Sequence, residues 1–80
     1  MRVARIEWRV VGEPVQLDAD RPLHESRGWA HREAEYLARE FGSDTAVVDY
    51  PSVGALVERS AVLREGRTLA WVVLRVVGSY

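Results

Sequence analysis

From Arg2 to Val11 apolar and polar residues alternate, with Ala4, Ile6, Trp8 and Val10 on one side of an extended chain and Arg5, Glu7 and Arg9 on the other. That spacing predicts a half-buried strand. Gly12-Glu13-Pro14 ends it, and Val15-Gln16-Leu17 is long enough for a short return strand before the polar run Asp18 to Pro22. From Ser26 to Phe41 the period becomes helical. Ala30, Ala34, Leu37, Ala38 and Phe41 recur on one face, Asp20 or Ser26 is a candidate N-cap, and Gly42 stands where a glycine stop belongs. The alanines let the helix axis lie close to a sheet, and Leu37 and Phe41 are expected to supply most of its buried area.

Thr45 to Tyr50 is β-branched and reads as a short strand. The stretch from Val53 to Arg64 fits either a helix begun at Ser52 or a strand. The turn sequence Arg64-Glu65-Gly66-Arg67 favours a strand, because it joins that stretch to the apolar run Leu69 to Val77 as a hairpin. The expected fold class is therefore α+β. A single helix packs on one face of an antiparallel sheet in the order β-α-β-β-β, with β-α-β-α-β as the alternative if 53–64 is helical.

A two-residue loop at Glu65-Gly66 pairs Leu63 with Thr68, Val62 with Leu69, Ser60 with Trp71 and Glu58 with Val73. In that register Ala55, Val57, Ala61, Leu63, Ala70, Val72, Leu74 and Val76, interrupted only by Arg59, face the helix. The opposite face holds Leu56, Glu58, Ser60, Val62, Leu69, Trp71, Val73 and Arg75, an interface-like mixture of aromatic, aliphatic and charged groups. A one-residue shift would exchange the faces. Left open to solvent, Leu69, Trp71, Val73 and Val62 would form an apolar patch that monomers rarely display. The expectation is a homodimer through this face, with Leu56 at its margin and Glu58 and Arg75 fixing orientation. The competing expectation is that residues 15–17 or 78–80 fold over the patch.

At 80 residues the chain is one domain, 1–80, with a modest core that oligomerisation would supplement. Its 48% hydrophobic and 29% charged residues suit a globular protein. The 11 basic residues, all arginine, mix with 12 acidic ones to a net charge of −1, which argues against nucleic acid as a partner. The absence of cysteine and of a long apolar run predicts a cytoplasmic chain with no membrane segment.

Candidate chemistry is sparse. His24, His31 and Glu35 bracket the helix start and are the only conceivable metal set, but without cysteine or a third histidine they do not make a zinc pattern. None of Ser26, Ser43, Ser52, Ser60 and Ser79 sits in a nucleophile elbow, Glu33 and Glu40 beside Tyr36 read as a solvated helix face, and no glycine-rich phosphate loop is present. Trp29 and Tyr36 form an aromatic stripe flanking the helix core. No catalytic, metal or cofactor site is expected. The rival readings are a small nucleic-acid-binding domain using Arg5, Arg9 and Trp71, and a small dimeric enzyme with a pocket between subunits.

The run Ala34-Glu35-Tyr36-Leu37-Ala38-Arg39-Glu40-Phe41-Gly42, leading into Thr45-Ala46-Val47-Val48-Asp49-Tyr50, resembles small accessory proteins of actinobacterial phages. It covers about half the chain by style of composition, and no functional residue carries over. The resemblance implies a non-enzymatic protein-binding module that modulates a host protein.

Overall fold

The computed structural model describes residues 1–80. Strand β1 (Arg2–Val10) is followed by two short strands, β2 (Gln16–Leu17) and β3 (Arg21–Pro22), one turn of helix α1 (Leu23–Ser26) and the main helix α2 (Trp29–Phe41). Three strands complete the chain: β4 (Thr45–Tyr50), β5 (Leu56–Arg64) and β6 (Arg67–Ser79). All pair antiparallel in one sheet of order β2-β1-β6-β5-β4, with β3 also on β1. The α+β class and the strand reading of 53–64 hold, and the order with a second long helix is excluded. No helix is long and apolar enough to cross a membrane.

The first and last long strands are neighbours, so β1 lies beside β6 along its whole length. Residues 15–22 run back along the far side of β1 instead of covering a face of the sheet. The helix starts later than the sequence period suggests. Its N-cap is Gly28, in the left-handed region at φ 83°, where a side chain would be strained, and neither Asp20 nor Ser26 caps it. At the other end the N–H of Gly42 donates to the Ala38 carbonyl, as a glycine stop should.

Ala30 and Ala34 are fully buried against the sheet, where Ala70, Val72 and Leu74 of β6, Ile6 and Ala4 of β1 and Val62 of β5 form the core. The alanines bring the axis close, and Leu37 and Phe41 are half-buried, packed against the margin of this core.

The turn prediction is met, since Glu65 and Gly66 both have positive φ, at 49° and 76°. This is the pattern of a two-residue type I′ hairpin loop with Arg64 opposite Arg67. Beyond Leu63–Thr68 the expected register fails. An extra residue at Leu69 pairs Val62 with Ala70, Ala61 with Trp71, Ser60 with Val72 and Glu58 with Leu74. The bulge leaves β6 as anticipated and inverts β5: Glu58, Ser60 and Val62 face the helix, and Ala61 faces away. A second bulge at Val57 returns Leu56 to the outer side opposite Arg75.

This inversion ties α2 down at both ends. The carboxylate of Glu58 accepts from the N–H groups of Gly28 at 2.7 Å and Ala30 at 3.4 Å, in place of the missing cap and of any acidic residue in the first turn. Arg64, six positions along β5, donates to the Phe41 carbonyl at the other end and pairs with Asp44 at 3.0 Å. Six strand residues and the 13 residues of α2 both span about 20 Å, so the two charges meet opposite poles of the helix dipole.

Replacing Glu58 by Ala is expected to lower stability by about 1–2 kcal/mol, and by Gln to lower it less, measured as a urea midpoint. Unchanged midpoints would show that the helix start needs no partner from β5. Glu65→Asn, which suits positive φ better, should raise stability by about 0.5 kcal/mol in the same assay.

Candidate functional site

The helix-free face of the sheet has no second layer, yet several of its residues are inaccessible. Alternation along β6 and β1 puts Trp71, Val73 and Arg75 beside Arg9, Glu7 and Arg5, and β5 and β4 add Ala61, Arg59, Val48 and Tyr50. Ala61 is fully buried and Val73 is 4% exposed. They are roofed by larger neighbours. The rings of Tyr50 and Trp71 lie 5.0 Å apart with a 53° tilt, and the Arg59 guanidinium lies over Tyr50 at 5.8 Å.

Glu7 organises the cationic part of this face. Its carboxylate is almost fully buried and accepts from Arg9 at 3.0 and 3.3 Å and from Arg75. Burial pushes the carboxyl up, but the hydrogen bonds from Arg75 and Arg9 outweigh it and hold Glu7 below the usual carboxylate range. It is therefore an ionised group clamped by two guanidiniums. Arg59, held through Nε by the Pro51 carbonyl at 2.9 Å, completes the rim of a shallow cavity of about 230 Å³ whose floor is Leu56, Trp71 and Val73.

Of the residues expected at an interface, Leu56, Trp71, Val73 and Arg75 share this cavity. Leu69 is half-buried at the bulge, a separate position. Val62 and Glu58 lie on the other face, one sealed in the core and one at the start of α2, because Leu69 shifts the ladder by one residue. The indole is not an open patch. Tyr50 caps part of it, while residues 15–17 lie along β1 and Tyr80 stays exposed. Glu7, Arg59 and Tyr50 were not anticipated as partners of Trp71, and Arg9 was joined to it only in the nucleic-acid reading. The alternation of β1 already set Arg9 and Glu7 on one side, and the missing fact was that β1 pairs with β6.

A second polar cluster joins α2 to the sheet. His31 Nδ1 is 2.8 Å from Asp49 of β4 and Nε2 is 3.1 Å from Glu35 one turn along the helix, while Ser60 Oγ donates to Asp49 at 2.7 Å. His24 lies elsewhere, near Arg2 and Arg27, so the two histidines do not meet. No cluster of three metal-ligating groups is present. The order Ser60–Asp49–His31 also differs from a nucleophilic triad, where histidine stands between serine and acid, since here the buried hydroxyl spends its proton on the carboxylate. The arrangement serves as a clasp, with the imidazole held between two carboxylates beside a groove of about 580 Å³ between α2 and β4.

The hydrogen bond with Asp49 raises the His31 pKa above its ordinary 6.5, and the bonds from His31 and Ser60 lower that of Asp49 below 3.8. A raised histidine contributes stability that is complete below 6.5 and is lost as pH climbs through its folded value. A lowered aspartate contributes stability that is present above 3.8 and is lost as pH falls through its folded value. The stability gap between the wild type and His31→Gln should therefore be full below pH 6.5, down to where Asp49 protonates, and should shrink as pH rises above 6.5, followed by urea titration at each pH. A gap that widens on the alkaline side would show that the clasp holds a neutral imidazole. Comparison with protein-family models, characterised proteins and solved structures finds no match to this chain, so its function has to be read from this geometry.

Proposed function

We propose that this chain is a non-enzymatic protein-binding module of the cytoplasm that self-associates through the free edge of β4. The observation that carries this reading is the edge itself. Thr45 to Tyr50 pairs with β5 over six consecutive residues without a bulge, and its other side has no strand neighbour. Exposed edges are ordinarily guarded by lysine, proline, a bulge or an inward-pointing charge. Within Thr45–Tyr50 the only such device is Asp49 on the helix side, already matched by His31, and Pro51 stands just beyond the last paired residue.

Face-to-face packing of two copies is the weaker arrangement, because it would set Arg9, Arg59 and Arg75 against the same guanidiniums. Edge pairing has no such conflict. A two-fold antiparallel ladder centred on Val48 places Val48 against its own copy and the large Tyr50 against the small Ala46, with all three on the outer side. Val48 and Tyr50 are among the exposed large hydrophobics, at 37% and 39%. One added strand buries little area, which corresponds to a weak, micromolar-range dimer. The resemblance to actinobacterial phage accessory proteins adds to this reading the role of modulating a host protein.

Light scattering across the micromolar range should show the wild type passing from monomer to dimer. Val48→Lys should remain monomeric with unchanged circular dichroism, while Val77→Lys, distant from the edge, should dimerise normally. A wild type that stays monomeric throughout, or a Val48→Lys variant that still dimerises, would rule out this edge.

A further inference from the structure

We infer that the cavity on the outer sheet face is a docking site for an acidic segment of a partner protein. The inference rests on the protein-binding reading and is independent of self-association through β4. Three guanidiniums, those of Arg9, Arg59 and Arg75, rim a floor made of Leu56, Trp71 and Val73. The one carboxylate in their hydrogen-bonding network is Glu7, which is shared by Arg9 and Arg75 and buried beneath them. Arg59 is held only by a backbone carbonyl. The rim therefore carries a surplus of positive charge that the chain does not neutralise, although its overall charge is −1.

The ligand that complements this site carries carboxylates for the rim and a small apolar group for the floor. Guanidiniums presented on a largely buried scaffold bind carboxylates through paired, charge-assisted hydrogen bonds, and Glu7 holds Arg9 and Arg75 in place beforehand. Single-stranded nucleic acid fits less well. Base stacking needs free ring faces, but Tyr50 is already engaged by Trp71 and by Arg59. The guanidiniums also converge on one cavity of about 230 Å³ and do not form a track along which successive phosphates could lie.

The test is fluorescence anisotropy with a labelled, glutamate-rich peptide carrying one central leucine, beside the same peptide with glutamine for glutamate. The glutamate peptide should bind the wild type and weaken as salt is raised, and the glutamine peptide should bind about tenfold or more weakly. Arg59→Glu should weaken the glutamate peptide by about tenfold, and the neutral Arg59→Gln by less, both with wild-type unfolding midpoints. Absence of binding, equal binding of the two peptides, or wild-type binding by Arg59→Glu would overturn the inference. So would tighter binding of a thymidine oligonucleotide of matching charge, which would make the occupant a nucleic acid. Light scattering on the same sample separates the two proposals. A strict monomer that binds the peptide removes the edge dimer and leaves this site standing, and a dimer indifferent to the peptide does the reverse.

Discussion

The inner side of β5 holds the domain together. Glu58, Ser60, Val62 and Arg64 point toward α2, and each meets a different part of what lies above: the first N–H groups of the helix, the carboxylate of Asp49, the apolar core and the carbonyl of Phe41. A helix whose own sequence lacks an N-cap and an acidic first turn depends on this strand for its start. The alignment requires that a strand of this length match the helix and that its even-numbered residues from Glu58 to Arg64 face inward. The extra residue at Leu69 secures the second condition.

The same displacement shapes the opposite face. With Val62 drawn into the core, β5 contributes Ala61 and Arg59 outward in its place, and the small alanine leaves room for Trp71 and Tyr50 to lie across it. A single helix covers only one side of a sheet, and a chain this short has no second layer to offer. The outer side is covered in part by large side chains instead, with Tyr50 against Trp71 and the Arg59 guanidinium over Tyr50. A site with an apolar floor and a cationic rim follows from that economy of chain.

The two surfaces available for contact are thus of different kinds. The edge of β4 offers unpaired backbone groups and is indifferent to charge, whereas the cavity near β6 offers guanidiniums and selects for acid. They adjoin through Tyr50, which belongs to the edge strand and packs at a tilt against the indole that floors the cavity. Between α2 and β4 the His31 clasp joins the helix to this same edge strand.

Much of the fold was legible along the chain. The alternation of Arg2 to Val11, the helical spacing of Ala30 to Phe41, the glycine stop at Gly42 and the Glu65-Gly66 turn were each readable, because each depends on residues within a few positions of one another. The inward face of β6 was readable for the same reason. Which half of β5 shares that face, that β1 rather than residues 15–17 flanks Trp71, and that Asp49 meets His31 were settled only by the tertiary structure. A bulge costs little locally and is selected by how distant groups pack and satisfy their charges. Glu58 and Gly28 are 30 residues apart, and no local pattern records that they meet.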